Sequence, residues 1–412
     1  MGCTSWVFKE LNSPVFVVYF YNGVCQPSHL TTIVTSSPHQ ISHQMQPGFA
    51  TDYQTILERV DAIDPLKYGK TRNYVDGDVS YLSPYISRGV ISTKQVLDHV
   101  MSKGYTINQI ESFVKELCWR DYFQRVGQVK NLNEDIKYPQ EPVSNHAISS
   151  AILEASSGIE GIDTAIRQLY ATGYMHNHCR MYTASLVCNI THSHWLHPAR
   201  WMYYHLLDGD WASNACSWQW VAGANSSKKY YANQENINKY AHTRQVNTFL
   251  DKAYDAFEVT DCPQHLKETQ TASFKTILPE AAPLQIDQHQ PTFVYNYYNL
   301  DPLWHANEAG NRILLLEPEF FNTYPVGERC MEFMLDLSKN IPNMQVVVGS
   351  FDELCHQHNT KEIFYKEHPL NIGYKGQEDA RDWISDKVSG YHPSFFAYWK
   401  RMEKRLYAQY RK

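Results

Sequence analysis

From Ala50 to about residue 257, apolar residues recur at spacings of three and four through YQTILERVDAI, TKQVLDHVM, IESFVKELCWRDYF and IDTAIRQLY, while strand signals are almost absent. A repeat near 3.6 places such side chains on one stripe of a helix, and a stripe must be buried against other helices. The pattern therefore predicts an all-helical domain over residues 49–257. The remaining chain breaks this rule. Residues 1–48 join a short apolar run (PVFVVYFY) to a Ser/His/Gln/Pro stretch that can bury little surface, and read as a partly flexible extension. Residues 258–290 are rich in Pro, Gln and Thr and read as a linker. Within 291–378, TFVYNYY, RILLLEP and MQVVVGS are candidate strands, with the helical GERCMEFMLDLSKN between the last two, which predicts a small α/β module. Residues 379–412 read as a helical tail with a solvated face.

A net charge of −6 gives no global attraction to nucleic acid, so any DNA contact must come from a local basic face. Nine Cys without a CxxC pair argue against a disulfide framework or a thiolate metal cluster, and a reducing, intracellular setting fits best. The histidines of HNHC and THSHWLHP lack metal-ligand spacing, so no metal is expected. No apolar run approaches the ~20 residues that span a bilayer, so no membrane partner is expected.

Residues 174–223 hold five of the chain's ten Trp, with polar and charged residues set between them. That mixture points to electron transfer beside a bound aromatic cofactor. TGYMHNHCRM, LLDGDWASN and SWQWVAG, together with SYLSPYISRGVIS and KELCWRDYF upstream, resemble the flavin-binding domain of the photolyase and cryptochrome family, over roughly residues 50–235. The fold implied is mainly α: a photolyase-type FAD-binding helical domain followed by the small C-terminal α/β module. LLLEPEFF through VVVGSFDEL weakly resembles the family's antenna domain, which elsewhere precedes the flavin domain and is larger.

The resemblance implies FAD as cofactor and assigns residues to it. Tyr68, Val79, Ser80, Tyr81, Leu82 and Ser83 match the phosphate-binding positions. Val79 stands where the family often has Thr, and Ser80 and Ser83 would offer hydroxyls at a helix start. Arg120 matches a flavin-phosphate contact, Arg180 an ion-pair partner of Asp208, Asp208 and Asp210 the flavin-facing turn, and Asn214 the position opposite flavin N5. In ELCWRDYF, Glu116, Trp119, Arg120 and Phe123 share one helix face. There the resemblance implies that Trp119 stacks on an extruded pyrimidine dimer and Glu116 hydrogen-bonds a dimer carbonyl. Asn177 and Met181 complete that pocket. Trp218 and Trp195 match the first two members of the family's electron relay. No Trp lies between Trp119 and Trp195, so a Tyr such as Tyr138 would stand in as third member, or the route would leave through Trp201 or Trp211.

These positions imply a light-dependent DNA-repair flavoprotein, a cyclobutane pyrimidine dimer photolyase-like lyase with damaged DNA as partner. The alternative is a cryptochrome-like photoreceptor that binds FAD and signals through a protein partner. YYANQENINKY, where photolyases usually carry a PYFRIFNP-like segment, marks a divergent branch.

Overall fold

The computed structural model describes residues 48–257, 261–280, 283–358 and 362–410. The PVFVVYFY segment lies outside these residues. Met1–Gly48 and Phe49–Lys412 are separate units. The second opens with helices α1 (Tyr53–Asp61), α2 (Pro65–Thr71), α3 (Ser83–Ser87), α4 (Thr93–Ser102) and α5 (Glu111–Gly127). They are followed by strand β1 (Ile148–Ser149), then α6 (Ser150–Leu153), α7 (Glu160–Thr172), α8 (Asn177–Ser185), α9 (Leu196–His205), α10 (Trp211–Ala222) and α11 (Gln234–Ala241). Local chemistry sets the ends of these helices. Ser92 and Gln95 close a reciprocal capping box on α4, and Asp210 caps α10 by accepting the Ser213 N–H at 2.7 Å. Gly173 ends α7 at φ +72, where a Cβ would meet Leu207 at 2.7 Å, so only glycine lets α7 and the Leu206–Asp210 turn approach this closely.

The connector is pinned to the helices, because β1 pairs antiparallel with β2 (Thr269–Gln270). Beyond it come β3 (Thr292–Tyr295), β4 (Asn311–Leu316), α12 (Pro318–Thr323), α13 (Glu328–Ser338), β5 (Met344–Val348), α14 (Phe351–His358), β6 (Ile363–Lys366), β7 (Gln377–Asp379) and α15 (Phe395–Gln409). The five strands β3–β7 form one parallel sheet in the order β5-β4-β3-β6-β7. The three candidate strands are present; β6 and β7 are additions, and β7 is too short and polar to signal itself. The interior strand β4 is buried throughout, as a parallel strand covered on both faces must be. Its Leu314 and Leu316 join the main core with the helices, whereas Ile313 and Leu315 face Phe351 and Leu354 of α14. The order in which strands are added reverses between the parallel neighbours β3 and β6, so the loops after those two strands flank the crevice typical of open α/β sheets.

The tail departs from expectation. Asp379 ends a strand, and α15 is no solvated face: Phe395, Tyr398, Trp399, Met402 and Leu406 are buried as the helix packs on α5. These five apolar side chains recur at helical spacing, and burying each stabilises by roughly 1.5–3 kcal/mol, more than the basic residues gain from water on the opposite face.

Candidate functional site

The buried turn after α9 gathers charges from three elements. Arg180 of α8 donates from Nη2 to Asp208 Oδ2 at 2.9 Å and from Nε to the Met175 carbonyl at 2.8 Å. Ser87 of α3 donates to the Asp208 carbonyl at 2.9 Å, and Arg120 of α5 donates in turn to the Ser87 hydroxyl. Gln124 of α5 donates to Asp210 at 2.6 Å. Arg88 is fully buried: it donates to the Gly209 carbonyl, and its guanidinium lies 3.5 Å over the Tyr297 ring. Burial alone would raise both carboxyls. Arg180 and Arg120 hold Asp208 below the ordinary carboxylate range, and Arg120 with His368 does the same for Asp210. Burial lowers Arg120, against the pull of Asp210 and Asp208.

Three arginines (88, 120, 180) against two aspartates (208, 210) leave a surplus of one positive charge, 3 − 2 = 1. Arg88 Nε and Nη1 and Asp208 Oδ1 are buried without protein partners. Each such atom costs on the order of 1–3 kcal/mol. A large anionic ligand rich in donors and acceptors would complete them, and FAD, with its pyrophosphate and flavin ring, is of that kind.

The expected phosphate loop is built differently. The five-residue α3 begins only at Ser83, with Leu82 before it supplying no side-chain cap, so Ser80 does not stand at a helix start. Tyr81 adopts φ +52 and packs 5.3 Å from Tyr174. Val79 is half-buried, Leu82 is buried in the core, and Tyr68 packs edge-on against Phe113 at 5.2 Å.

One residue before Arg120 on α5, Trp119 lies parallel to Phe395 of α15, 3.7 Å apart at 9°. It remains half-buried. Glu116, one turn earlier, pairs with Arg72 Nη1 at 3.0 Å; burial raises its carboxyl, against the pull of Arg72. Asn177 is exposed at the first residue of α8, and Met181 packs against the core. Asn214 donates its amide to the Ala199 carbonyl at 2.8 Å. Trp218 and Trp195 are buried, at 2% and 0% exposure. Of the third-member candidates, Tyr138 is half exposed, Trp201 donates to the Tyr170 hydroxyl at 3.1 Å, and Trp211 lies 5.6 Å from both Tyr203 and Tyr324.

Arg72, Arg88, Tyr297, Tyr298, His368 and Phe395 escaped the sequence reading. Arg88 alone left a local trace, a charge set among Tyr85, Val90 and Ile91 in an otherwise apolar run.

The helices and their charged centre define a domain built around a large anionic cofactor. Residues 113–254 match the family model described as the FAD binding domain of DNA photolyase, so this stretch is a photolyase-type FAD-binding domain with FAD as its cofactor. Similar proteins include the deoxyribodipyrimidine photo-lyase of Vibrio cholerae, 32% identical over 161 residues and covering 37% of this chain and 34% of the relative. The mitochondrial photo-lyase of Saccharomyces cerevisiae is 31% identical over 188 residues, covering 40% of this chain and 33% of its own. Among solved structures, a Synechocystis cryptochrome aligns at 24% identity and a TM-score of 0.41, covering 48% of this chain and 44% of that one. A class III photolyase from Agrobacterium tumefaciens aligns at 26% and 0.37, covering 47% and 45%. The chain spans between 33% and 46% of the length of the first curated relatives. No helix among the described residues is long and apolar enough to cross a membrane.

Proposed function

We propose that the chain is a light-dependent flavoprotein that splits cyclobutane pyrimidine dimers in DNA. The observation that carries this reading is the division of labour on α5. Arg120 reaches into the buried charge cluster, while Glu116 pairs with Arg72 and Trp119 stacks on Phe395. FAD supplies the light absorption and one-electron chemistry when bound. Arg120, Arg180 and Arg88 would hold it through the atoms left unpartnered and the surplus charge, with Asp208, Asp210 and Asn214 along its edge. Tyr68 and residues 79–83 would close the phosphate end. Phe395 keeps the Trp119 indole in one orientation, so stacking a flipped base there orders little that is not already ordered. A Glu116 carboxyl whose pKa is raised can hold a proton toward a dimer carbonyl, a contact that matters most once that carbonyl carries charge.

Blue-light repair of a thymine-dimer oligonucleotide, with chemically reduced flavin, tests the reading. Trp119→Ala is expected to weaken binding of damaged DNA by about 1–3 kcal/mol. Glu116→Ala is expected to lower repair per absorbed photon at saturating DNA. The Glu116–Arg72 ion pair favours a second reading, because it satisfies the carboxylate without any substrate. A protein that neither splits dimers nor prefers damaged DNA would be a photoreceptor signalling through a protein partner.

A further inference from the structure

The relay lacks its third tryptophan, and what stands beside its second member fills that gap in another way. Trp195 is fully buried, and its indole Nε1–H donates to Asp135 Oδ1 at 2.6 Å. The other Asp135 oxygen accepts the Gln140 backbone N–H at 2.9 Å. The Gln140 side chain clamps the same strip of chain: its Oε1 accepts the Trp195 N–H at 2.8 Å and its Nε2 donates to the Ser193 carbonyl at 2.9 Å. Asp135 is not sealed: its side chain keeps 24% of its surface in solvent, and His194 Nε2 lies 3.7 Å from the oxygen that takes the indole proton. His194 stacks on the exposed His146, centroids 4.8 Å apart.

An indole that loses an electron becomes a strong N–H acid. One sealed from water can give up that proton only to its hydrogen-bond acceptor, and a short bond to an anion is the arrangement in which transfer requires least motion. We propose that Asp135 is the proton acceptor that ends the relay at Trp195. One electron passes from Trp195 to oxidised Trp218. The Nε1 proton passes to Asp135 Oδ1, leaving a neutral indole radical beside a neutral carboxylic acid. The carboxyl releases that proton to solvent at its exposed edge, directly or through His194 and His146. An external thiol later returns the electron, a proton re-enters through the same carboxyl, and two such thiols end as a disulfide. Proton loss thus stops the electron from falling back, a task that relays otherwise give to distance along a third aromatic. The proposal rests on the reading of Trp218 and Trp195 as relay members.

Flash absorption of the full, FAD-loaded chain tests it, because cationic and neutral indole radicals have distinct bands. In the wild-type protein the neutral radical is expected to appear with a rate slowed in heavy water, a comparison that needs no substitution. In Asp135→Asn the cationic radical is expected to persist and recombine, lowering the lasting yield of photoreduction several-fold. Asp135→Glu, which restores a carboxylate, is expected to recover the neutral radical. In flavin-free protein, the Trp195 indole N–H resonance is expected to move upfield in Asp135→Asn as the charge-assisted bond is lost. A neutral radical forming in Asp135→Asn at the wild-type rate, or a wild-type rate indifferent to heavy water, would overturn the proposal and leave the relay reading intact. Absence of any indole radical, or radicals unchanged in Trp195→Phe, would overturn the relay reading and the proposal with it.

Discussion

The helical region and the parallel sheet bury polar groups in opposite ways. Carboxylates at the sheet find partners within the sheet: Asp379 Oδ2 accepts from Trp304 at 2.9 Å and pairs with His305 at 2.7 Å, and Asp301 holds Lys366 at 2.8 Å. In the helical region Asp208 keeps one oxygen unpartnered and Arg88 two nitrogens. The sheet's own unpartnered atoms, Tyr297 Oη, Asn299 Nδ2 and His368 Nε2, all lie in the loops after β3 and β6, where Leu300 donates to the Arg88 carbonyl at 2.9 Å. A region that completes its own hydrogen bonds is scaffold, and one that leaves several incomplete at a single place is waiting for a ligand.

The contrast can be broken most strongly at Asp208. Asp208→Ala removes the partner of Arg180 and doubles the surplus charge, with an expected loss of about 3–5 kcal/mol. Urea unfolding should show that loss, and gel filtration should show that retained FAD disappears with it. If FAD is retained undiminished, the cluster is not the cofactor's anchor. Leu314→Ala, in the middle of β4, should cost ~2–5 kcal/mol through the cavity it leaves. Its folded fraction should still hold FAD in the wild-type ratio, and a parallel loss of FAD would erase the distinction between scaffold and site.

Acid gives the most graded effect. Burial lowers His176, His178 and His205 from 6.5 to about 4, and His368 to about 3. The unfolded chain takes up protons that the folded chain refuses, so their contribution is whole above 6.5 and is lost as pH falls toward the folded values. Each such histidine adds a slope of roughly 1.4 kcal/mol per pH unit within its window. His368→Phe keeps the stacking on Tyr298, 4.0 Å away, and should flatten the acid limb by about one proton's slope. An unchanged slope would mean that His368 is protonated in the folded protein.

Legibility followed the range of the interactions. Helices with strong stripes, such as α4 and α7, could be read because the stripe and its caps are local, and Asp208, Asp210 and Arg180 could be read because they lie in motifs with few gaps. Other assignments failed where distance intervened. The tail looked solvated because its partner, α5, is remote in sequence.

The sequence by itself determined the helical character of the first region, the parallel strands of the second and the identity of the flavin domain, since periodicity and motif are properties of neighbouring residues. Tertiary structure alone decided that Phe395 backs Trp119, that Tyr297 and Arg88 meet over the charge cluster, and that Asp135 takes the Trp195 indole proton into a hydrogen bond. Those contacts join residues whose spacing carries no period, and each depends on a side chain being aimed by an element that folds elsewhere in the chain.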